Sequence, residues 1–224
     1  MPTVVSDLYG EILIPPAVND LASFLQWIDA ADLPEKLPVS FLRGDVRVDL
    51  AMEEMFSHSR IKSALGIALG GLIEGDDLGM YAPDGMLLVN EGAELATGPD
   101  AMFISHESVR TGRVTFTAGK KRDAVATRAV GTPDLVVEII SPSSVFADTE
   151  WLMSAYHNAG IPEYWVIDAR GDDIQFDIYS RRAKEFVAVR KSAGWLKSAA
   201  LGKSFRLVRT EMANGYPRFK LETR

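Results

Sequence analysis

Two acidic residues stand beside predicted apolar strands in a pattern that suits metal chemistry. Asp100 follows Gly98-Pro99 and precedes an apolar run, and Glu138 lies inside residues 135–140, the most apolar run in the chain. A carboxylate in such surroundings is costly unless it is protonated, paired or bound to a metal. Mg²⁺ is usually held by one or two protein carboxylates together with water and a phosphate. These residues therefore predict either a magnesium site or an ion pair between Glu138 and an arginine, and spacing alone favours neither.

The same local pattern occurs twice along the chain. Gly98-Pro99-Asp100 and Thr132-Pro133-Asp134 each place an aspartate just after a proline and just before an apolar strand. The proline ring fixes the backbone there, and the strand that follows would make the position of the aspartate rigid. At Asp134 the pattern predicts either the cap of a turn or a further metal ligand.

Two helices and a hairpin are predicted before the first of these strands. Asn19-Asp20 has the residue types of a helix cap, and apolar residues follow it with helical spacing up to Ile28. A hairpin is predicted around Gly44-Asp45, with strands at residues 39–41 and 46–50. A second helix, capped by Ser57, is expected to end at residues 75–77.

The rest of the chain predicts strands and one further helix. Strands are expected at residues 79–81, 86–89, 101–104, 135–140 and 164–168, and an antiparallel meander at 174–179, 185–189, 205–208 and 216–221. The polar, glycine-containing segment 112–130 predicts a loop, and residues 148–158 predict a helix that Gly160 and Pro162 end. The continuous apolar run at 135–140 indicates a strand buried on both faces. Together these elements predict an α/β fold with a mixed sheet.

The size and composition of the chain are typical of a folded globular protein. It has 224 residues, of which 47% are hydrophobic and 25% charged, and this excludes a disordered or collagen-like chain. We expect one domain over residues 1–224, with a helical lead-in at about 17–38, a core at about 39–180 and a C-terminal meander at about 172–222.

The charges are distributed unevenly along the chain. The net charge is −7, yet residues 1–112 hold 18 acidic and 6 basic side chains, and residues 113–224 hold 13 acidic and 18 basic ones. From Arg170 onward there are 13 basic and 6 acidic residues. This split predicts either ordinary solvated hairpins or a basic face opposite an acidic pocket, as an enzyme acting on phosphates would need.

Other classes of protein are excluded by residues that the chain lacks. It contains no cysteine, which excludes a disulfide framework, a zinc ribbon and a thiolate nucleophile. The longest weakly polar run, residues 63–73, is far shorter than the ~20 residues that span a bilayer. The first residues lack the basic start and apolar stretch of a signal peptide, so we expect a cytoplasmic protein with no membrane partner.

Two longer segments resemble a known family. A close resemblance to the Uma-two family of restriction-endonuclease-like proteins, within the PD-(D/E)XK nuclease superfamily, is carried by residues 133–143, PDLVVEIISPS, and residues 159–168, AGIPEYWVID. The run Gly98-Pro99-Asp100 followed by Phe103-Ile104-Ser105 resembles the upstream strand of that family, and His58 resembles a histidine that the family often carries at the start of a helix. The resemblance is dense from about residue 98 to 180 and weak beyond 190.

The resemblance implies a fold, a reaction and a set of ligands. The fold is a restriction-endonuclease-like mixed sheet flanked by helices, and the reaction is metal-dependent hydrolysis of DNA phosphodiester bonds. Asp100 and Glu138 would hold Mg²⁺ or Mn²⁺, with the backbone carbonyl of Ile139 as a further ligand, and a lysine would orient or deprotonate the attacking water. By analogy with the superfamily, the protein is expected to be able to form a homodimer.

The chain departs from the family pattern at that lysine. The position two residues after Glu138 is Ile140. Relatives of the family have moved the lysine onto the following helix, between an aspartate and a tyrosine that match Asp148 and Tyr156, and the residue at that position here is Leu152. Residues 148, 152 and 156 share one helix face, so a lysine at 152 would point toward the strand carboxylates.

Three explanations for the missing lysine stay open. The enzyme works with the metal alone, at a reduced rate; another base has taken the role, with Lys120, Lys121 and His58 as candidates; or the protein is an inactive relative that serves as a binding or structural module. The segment from residue 122 to 183 contains no lysine, so the sequence offers no replacement close to the motif.

Overall fold

The computed structural model describes residues 3–7, 10–31, 33, 37–49, 55–118, 126–141, 151–171 and 173–224. Their strands, in chain order, are β1 (Thr3–Asp7), β2 (Gly10–Ile14), β3 (Val39–Leu42), β4 (Asp45–Val48), β5 (Gly79–Pro83), β6 (Leu87–Asn90), β7 (Leu95–Thr97), β8 (Ala101–Ser105), β9 (Val114–Thr117), β10 (Arg128–Gly131), β11 (Leu135–Ile139), β12 (Glu163–Asp168), β13 (Gln175–Arg181), β14 (Phe186–Ala188), β15 (Leu196–Lys197), β16 (Ser204–Glu211) and β17 (Pro217–Thr223). Their α-helices are α1 (Leu21–Ala30), α2 (Arg60–Leu65), α3 (Gly71–Gly75), α4 (His106–Arg110) and α5 (Leu152–Asn158). None of the helices in these ranges is long and apolar enough to cross a membrane.

Two six-stranded mixed sheets contain most of the strands. The first has the order β14-β13-β12-β11-β8-β5, and its one parallel pair is β11 with β12. The second has the order β4-β3-β7-β6-β10-β9, with β6 and β10 parallel. A hairpin, β1-β2, and a three-stranded sheet, β15-β16-β17, complete the described strands. This architecture confirms the predicted α/β fold with mixed sheets and antiparallel C-terminal strands.

Strand β11 lies at the centre of the molecule, and all five of its residues are buried. Val137 and Ile139 pack in a hydrophobic cluster that includes α2. Val136, together with Ile140 just beyond the strand, packs in a second cluster that includes α5. Because successive side chains of a strand point to opposite faces, β11 separates the two clusters. The prediction of a strand buried on both faces is confirmed.

The N-terminal elements follow the local signals of the sequence. Asp20 accepts a hydrogen bond from the backbone N–H of Ser23 at 2.7 Å and completes a capping box at the start of α1. Phe24, on the buried side of that helix, packs on Phe41 of β3, with ring centroids 5.3 Å apart. The hairpin β3-β4 turns at residues 43–44, where Gly44 has a φ of 91°.

The second predicted helix has a different start and a different form. Met55–Ser59 is already helical, so the predicted cap Ser57 lies inside the helix. Met55–Ser59 and Gly66–Gly70 form π turns that alternate with α2 and α3. Single π turns within helices are frequent at functional sites, because the extra residue shifts the side chains that follow.

The segment 112–130, predicted to be a loop, contains two strands of the second sheet. β9 and β10 pair in antiparallel fashion, and their residues Val114 and Ala129 are fully buried. Gly131 has a φ of 126°, and a Cβ there would lie 2.0 Å from the carbonyl oxygen of Arg113, so no other residue fits without a shift. Both strands are short and lie in a polar, glycine-containing segment, which is a pattern typical of a loop.

The predicted C-terminal meander is divided between two sheets. β13 and β14 extend the first sheet, whereas β15, β16 and β17 form a sheet of their own. Glu163 of β12 connects the first sheet to the C-terminal sheet, and it is only 1% exposed. Its carboxylate accepts hydrogen bonds from the indole N–H of Trp165 at 2.7 Å, the hydroxyl of Ser198 at 2.6 Å and the N–H of Ala199 at 2.7 Å.

Candidate functional site

Three carboxylates come from one row of residues across neighbouring strands of the first sheet. The strand register pairs Ala101 of β8 with Pro83 of β5 and with Val137 of β11. The residues one step further along these three chain segments are Asp84, Asp100 and Glu138. Residues directly opposite each other on neighbouring strands have Cβ atoms about 5 Å apart, so this end of the sheet concentrates negative charge.

Asp100 is a largely buried carboxylate with contacts from both sides. Its side chain is 12% exposed. One oxygen, Oδ2, accepts the backbone N–H of Ile139 at 2.7 Å and lies 3.3 Å from Nε2 of His58. The other oxygen, Oδ1, lies 3.0 Å from Nζ of Lys62. The two oxygens are therefore fixed by a strand on one side and a helix on the other.

Opposing effects act on the pKa of Asp100. Burial raises it, because desolvation disfavours the charged form. The hydrogen bond and charge of His58, the charge of Lys62 and the N–H of Ile139 act in the other direction, and the net result is a pKa below the ordinary value. Asp100 is thus held as the carboxylate, which is the form that binds a metal ion.

His58 and Lys62 reach Asp100 from one helical segment. They are four residues apart, at the spacing that places side chains on the same helix face. Ile61 directly precedes Lys62, and Leu65 lies one helical turn after Ile61. Both side chains are fully buried in the hydrophobic cluster on one face of the first sheet. This packing fixes the rotation of the helix, and with it the direction of His58 and Lys62.

Glu138 is held by a phenol group. Glu138 is only 6% exposed. Its Oε1 accepts a hydrogen bond from the hydroxyl of Tyr156 on α5. Leu152, at the position of the missing lysine, lies one turn before Tyr156 and is buried in the same hydrophobic cluster. Leu152 therefore provides packing at the position where the resemblance led us to expect a lysine.

The structure brings a lysine to the site that our sequence reasoning missed. Lys62 contacts Asp100 and also lies 2.8 Å from Oδ2 of Asp84, the outermost carboxylate of the row. The candidates predicted to replace the missing lysine were Lys120, Lys121 and His58. The sequence did contain one indication of Lys62. It lies one helical turn after His58, which the family resemblance already associated with the site, and this spacing places both side chains on one helix face.

Asp134 has a different set of partners from Asp100 and Glu138. It accepts hydrogen bonds from the N–H of Ser105 at 2.7 Å and the hydroxyl of Ser108 at 2.6 Å, and it pairs with Arg113. Ser105 is the N-cap of α4. Of its two predicted roles, these contacts agree with the stabilisation of a turn.

The remaining candidates divide into packing residues and residues outside the described ranges. The N–H of Ile140 donates to the carbonyl of Ile167 at 2.8 Å, and its side chain is buried. Lys120, Lys121 and Asp148 lie outside the described residues.

The donor set fits a hard divalent cation. Carboxylate oxygens from Asp100 and Glu138 and a backbone carbonyl from Ile139 are ligands that Mg²⁺ and Mn²⁺ accept. Within the described residues, no group of three or more His, Asp and Glu side chains is arranged to hold a metal by itself. A site of this kind needs oxygens from water and from a substrate phosphate to complete the coordination, as is common for Mg²⁺.

Comparisons with known proteins agree on a nuclease-like fold. The sequence pattern of the family Uma2, described as "Putative restriction endonuclease", matches residues 21–203. A crystal structure described as a putative nuclease belonging to DUF820, from Anabaena variabilis, is 15% identical in sequence and superposes with a TM-score of 0.59 over 82% of this chain and 90% of that chain. No curated protein matches the chain. At that identity the structural likeness establishes the fold alone.

Proposed function

Because the chain belongs to the Uma2 family, we propose that it is a metal-dependent endonuclease that hydrolyses DNA phosphodiester bonds at Asp100 and Glu138. One observation carries the proposal: Asp100, just before β8, and Glu138, in the neighbouring β11, are two buried carboxylates in one row, and each is held by a specific donor. A buried carboxylate needs a partner that compensates its charge, and a divalent cation is such a partner.

Asp100, Glu138 and the carbonyl of Ile139 would hold the metal ion. A divalent ion bound there supplies Lewis-acid polarisation of the phosphate and a more acidic water. In hydrolysis, the water oxygen forms a bond to phosphorus while the bond from phosphorus to the leaving sugar oxygen breaks. One proton of the water is released, and the leaving oxygen takes up a proton, so that one water is consumed for each bond cut.

The residues around the two carboxylates act by positioning them. The N–H of Ile139 and the ring of His58 fix one oxygen of Asp100, and the hydroxyl of Tyr156 fixes Glu138. Carboxylates that are already oriented lose little entropy when a ligand binds.

A second candidate function is a binding or structural module without catalysis. It is favoured by Ile140 and Leu152, which are buried apolar residues at the two positions where the superfamily and the family have lysine. Calorimetric titration with Mn²⁺ separates the two functions. Binding to the wild-type protein that is lost in Asp100→Ala supports the nuclease, and no binding to the wild type supports the module.

The nuclease proposal carries further expectations about the whole protein. We propose DNA as the substrate, a single domain, a cytoplasmic location and the ability to form a homodimer. Light scattering of the purified protein, with and without duplex DNA, measures whether the protein is a monomer or a dimer.

The decisive variants remove charge at the two carboxylates without changing their size. We expect Glu138→Gln and Asp100→Asn each to lower Mg²⁺- or Mn²⁺-dependent cleavage of duplex DNA at least about 10²-fold, because the ligand charge is lost. Glu185→Gln, in the exposed turn before β14, is the matched control and should cleave like the wild type. Unchanged cleavage in Glu138→Gln, in a protein with wild-type circular dichroism, would contradict the assignment.

A further inference from the structure

We propose that Lys62 supplies the positive charge of the site by contacting a non-bridging oxygen of the DNA phosphate, in place of the lysine absent at positions 140 and 152. This inference rests on the proposed nuclease function and adds a catalytic residue to it. It is carried by the position of Lys62 between two carboxylates of the row, Asp84 and Asp100.

The geometry holds the ammonium of Lys62 at the end of the first sheet. Nζ lies 3.0 Å from Oδ1 of Asp100 and 2.8 Å from Oδ2 of Asp84. A lysine side chain in water samples many rotamers, and two simultaneous ion pairs restrict it to a few. The side chain is 18% exposed, so a phosphate at the site can approach it from solvent.

The two carboxylates differ in how strongly they hold Lys62. The side chain of Asp84 is 53% exposed, whereas that of Asp100 is 12% exposed. Solvent weakens an ion pair, so the contact with Asp84 costs less to break than the contact with Asp100. We infer that Lys62 keeps its contact with Asp100 and exchanges Asp84 for a phosphate oxygen when DNA binds.

The two positions at which the family resemblance expects a lysine are filled by apolar residues. Ile140 and Leu152 are 5% exposed each and pack in the cluster around α5. His58 faces the second oxygen of Asp100, the one that also accepts the N–H of Ile139, and so acts in positioning Asp100. Lys62 acts in this scheme as a fixed point charge, which stabilises the negative charge that develops on the phosphate oxygens.

The test compares Lys62→Met and Lys62→Arg with a cation of another ion pair. Arg110→Met is the control, since Arg110 of α4 pairs with Glu107 at 2.6 Å in the acidic half of the chain. Lys62→Met should lower the rate of Mn²⁺-dependent DNA cleavage about 10²–10³-fold, as removal of one transition-state donor does. Lys62→Arg should retain part of the rate because it keeps the charge, and Arg110→Met should cleave like the wild type.

A second readout does not depend on cleavage. Binding of a short DNA duplex, measured by fluorescence anisotropy without divalent metal over a range of salt concentrations, reports the number of phosphate contacts. Loss of one contact should lower the slope of log affinity against log salt concentration by about 1 in Lys62→Met and leave it unchanged in Lys62→Arg. Calorimetric Mn²⁺ binding should persist in Lys62→Met, because the proposed ligands Asp100 and Glu138 are intact.

The outcomes separate this proposal from the proposed function. If the wild type cuts DNA and Lys62→Met cuts equally well, the Lys62 proposal is wrong and the nuclease stands. If the wild type does not cut DNA, the nuclease proposal is wrong, and an unchanged salt slope or absent DNA binding overturns the Lys62 proposal as well. Loss of Mn²⁺ binding in Lys62→Met would mean that Lys62 only maintains the structure of the site. If Lys62→Met does not fold, Lys62→Gln takes its place in the same assays.

Discussion

The two carboxylates of the candidate site are stabilised by different kinds of group. Asp100 is surrounded by groups that carry or can carry positive charge, Lys62 and His58, whereas Glu138 accepts a hydrogen bond from the neutral hydroxyl of Tyr156. Charged partners favour the ionised form more strongly than a neutral donor does. The groups that can carry positive charge therefore come from α2 and the π turn before it, and a neutral hydrogen-bond donor comes from α5.

The pKa of Tyr81, on strand β5, is affected by burial and by the charges of Asp100 and Lys62. Burial raises the pKa of Tyr81 to about 12, the charge of Asp100 raises it as well, and the charge of Lys62 lowers it. Because the folded protein holds the proton more tightly than the unfolded chain, whose tyrosines titrate near 10, this contribution to stability is complete below about pH 10. It is lost as the pH rises toward 12.

We predict that Tyr81→Phe removes one late step from the alkaline titration of the protein. The absorbance of phenolate is measured against pH for the wild type and the variant, and the difference between the curves gives the titration of Tyr81. The loss of folding stability between about pH 10 and 12 should also become smaller in the variant. A difference curve centred near pH 10 would contradict the burial and charge environment described for Tyr81.

Candidate site residues could be recognised in the sequence where the residues next to them in the chain form a clear local pattern. Asp100 and Glu138 were recognisable because each lies beside or within an apolar strand, and His58 through its family resemblance. The contacts of Lys62 with Asp84 and Asp100 were not, because they join residues 22 and 38 positions apart, across two strands and a helix. Spacing along one helix or strand carries no information about such tertiary contacts.

At the scale of elements, strong local signals gave the correct structure and weak ones did not. The cap of α1, the turn at Gly44 and the apolar strand β11 were each predicted from the residues that form them. The strands β9 and β10 are short and polar on one side, and their pairing depends on a glycine, Gly131, whose requirement appears only when the strands meet. The π turns of the second helical segment likewise follow from its packing and have no recognised sequence signature.

Glu163 connects the first sheet to the chain segment that leads into the C-terminal sheet. Its carboxylate accepts hydrogen bonds from a side chain of its own strand and from the Ser198–Ala200 segment. A buried charge with several donors is strongly stabilised, and the donors lose their partner if the charge is removed.

We predict that Glu163→Gln lowers the free energy of unfolding by about 2–3 kcal/mol, because the amide N–H₂ faces donors that need an acceptor. Urea unfolding of the variant, followed by tryptophan fluorescence, measures the change. Glu185→Gln, which is exposed, should change stability by less than about 0.5 kcal/mol. Equal stabilities of the two variants would show that Glu163 does not anchor the C-terminal sheet.

At the scale of the whole molecule, the acidic and basic halves of the chain correspond to different structural elements. Asp84 and Asp100 belong to the acidic first half of the chain, where residues 1–112 sum to −12 from 18 acidic and 6 basic side chains. The basic excess after Arg170 falls on β13 to β17 and their turns. The proposed nuclease function would use both halves, because basic side chains attract DNA and an acidic centre would hold a cation.

We predict that the exposed basic residues of β17 contribute to DNA binding. The double variant Arg218→Gln with Lys220→Gln should lower the slope of log affinity against log salt concentration by about 2, because two phosphate contacts are lost. Arg110→Gln, an equally exposed arginine of α4 in the acidic half, is the control and should leave the slope unchanged. A slope that changes equally in both variants would indicate general electrostatic attraction with no preferred face.

The row of Asp84, Asp100 and Glu138 also has a consequence for how the protein folds. The three residues come from chain segments separated by 16 and 38 positions, and the third segment is itself held by β12, which lies later still. Pairings over such separations require closure of long loops and form late. Asp84 and Asp100 therefore meet as soon as β5 pairs with β8, whereas Glu138 joins them only after β11 has been synthesised and has paired with β8.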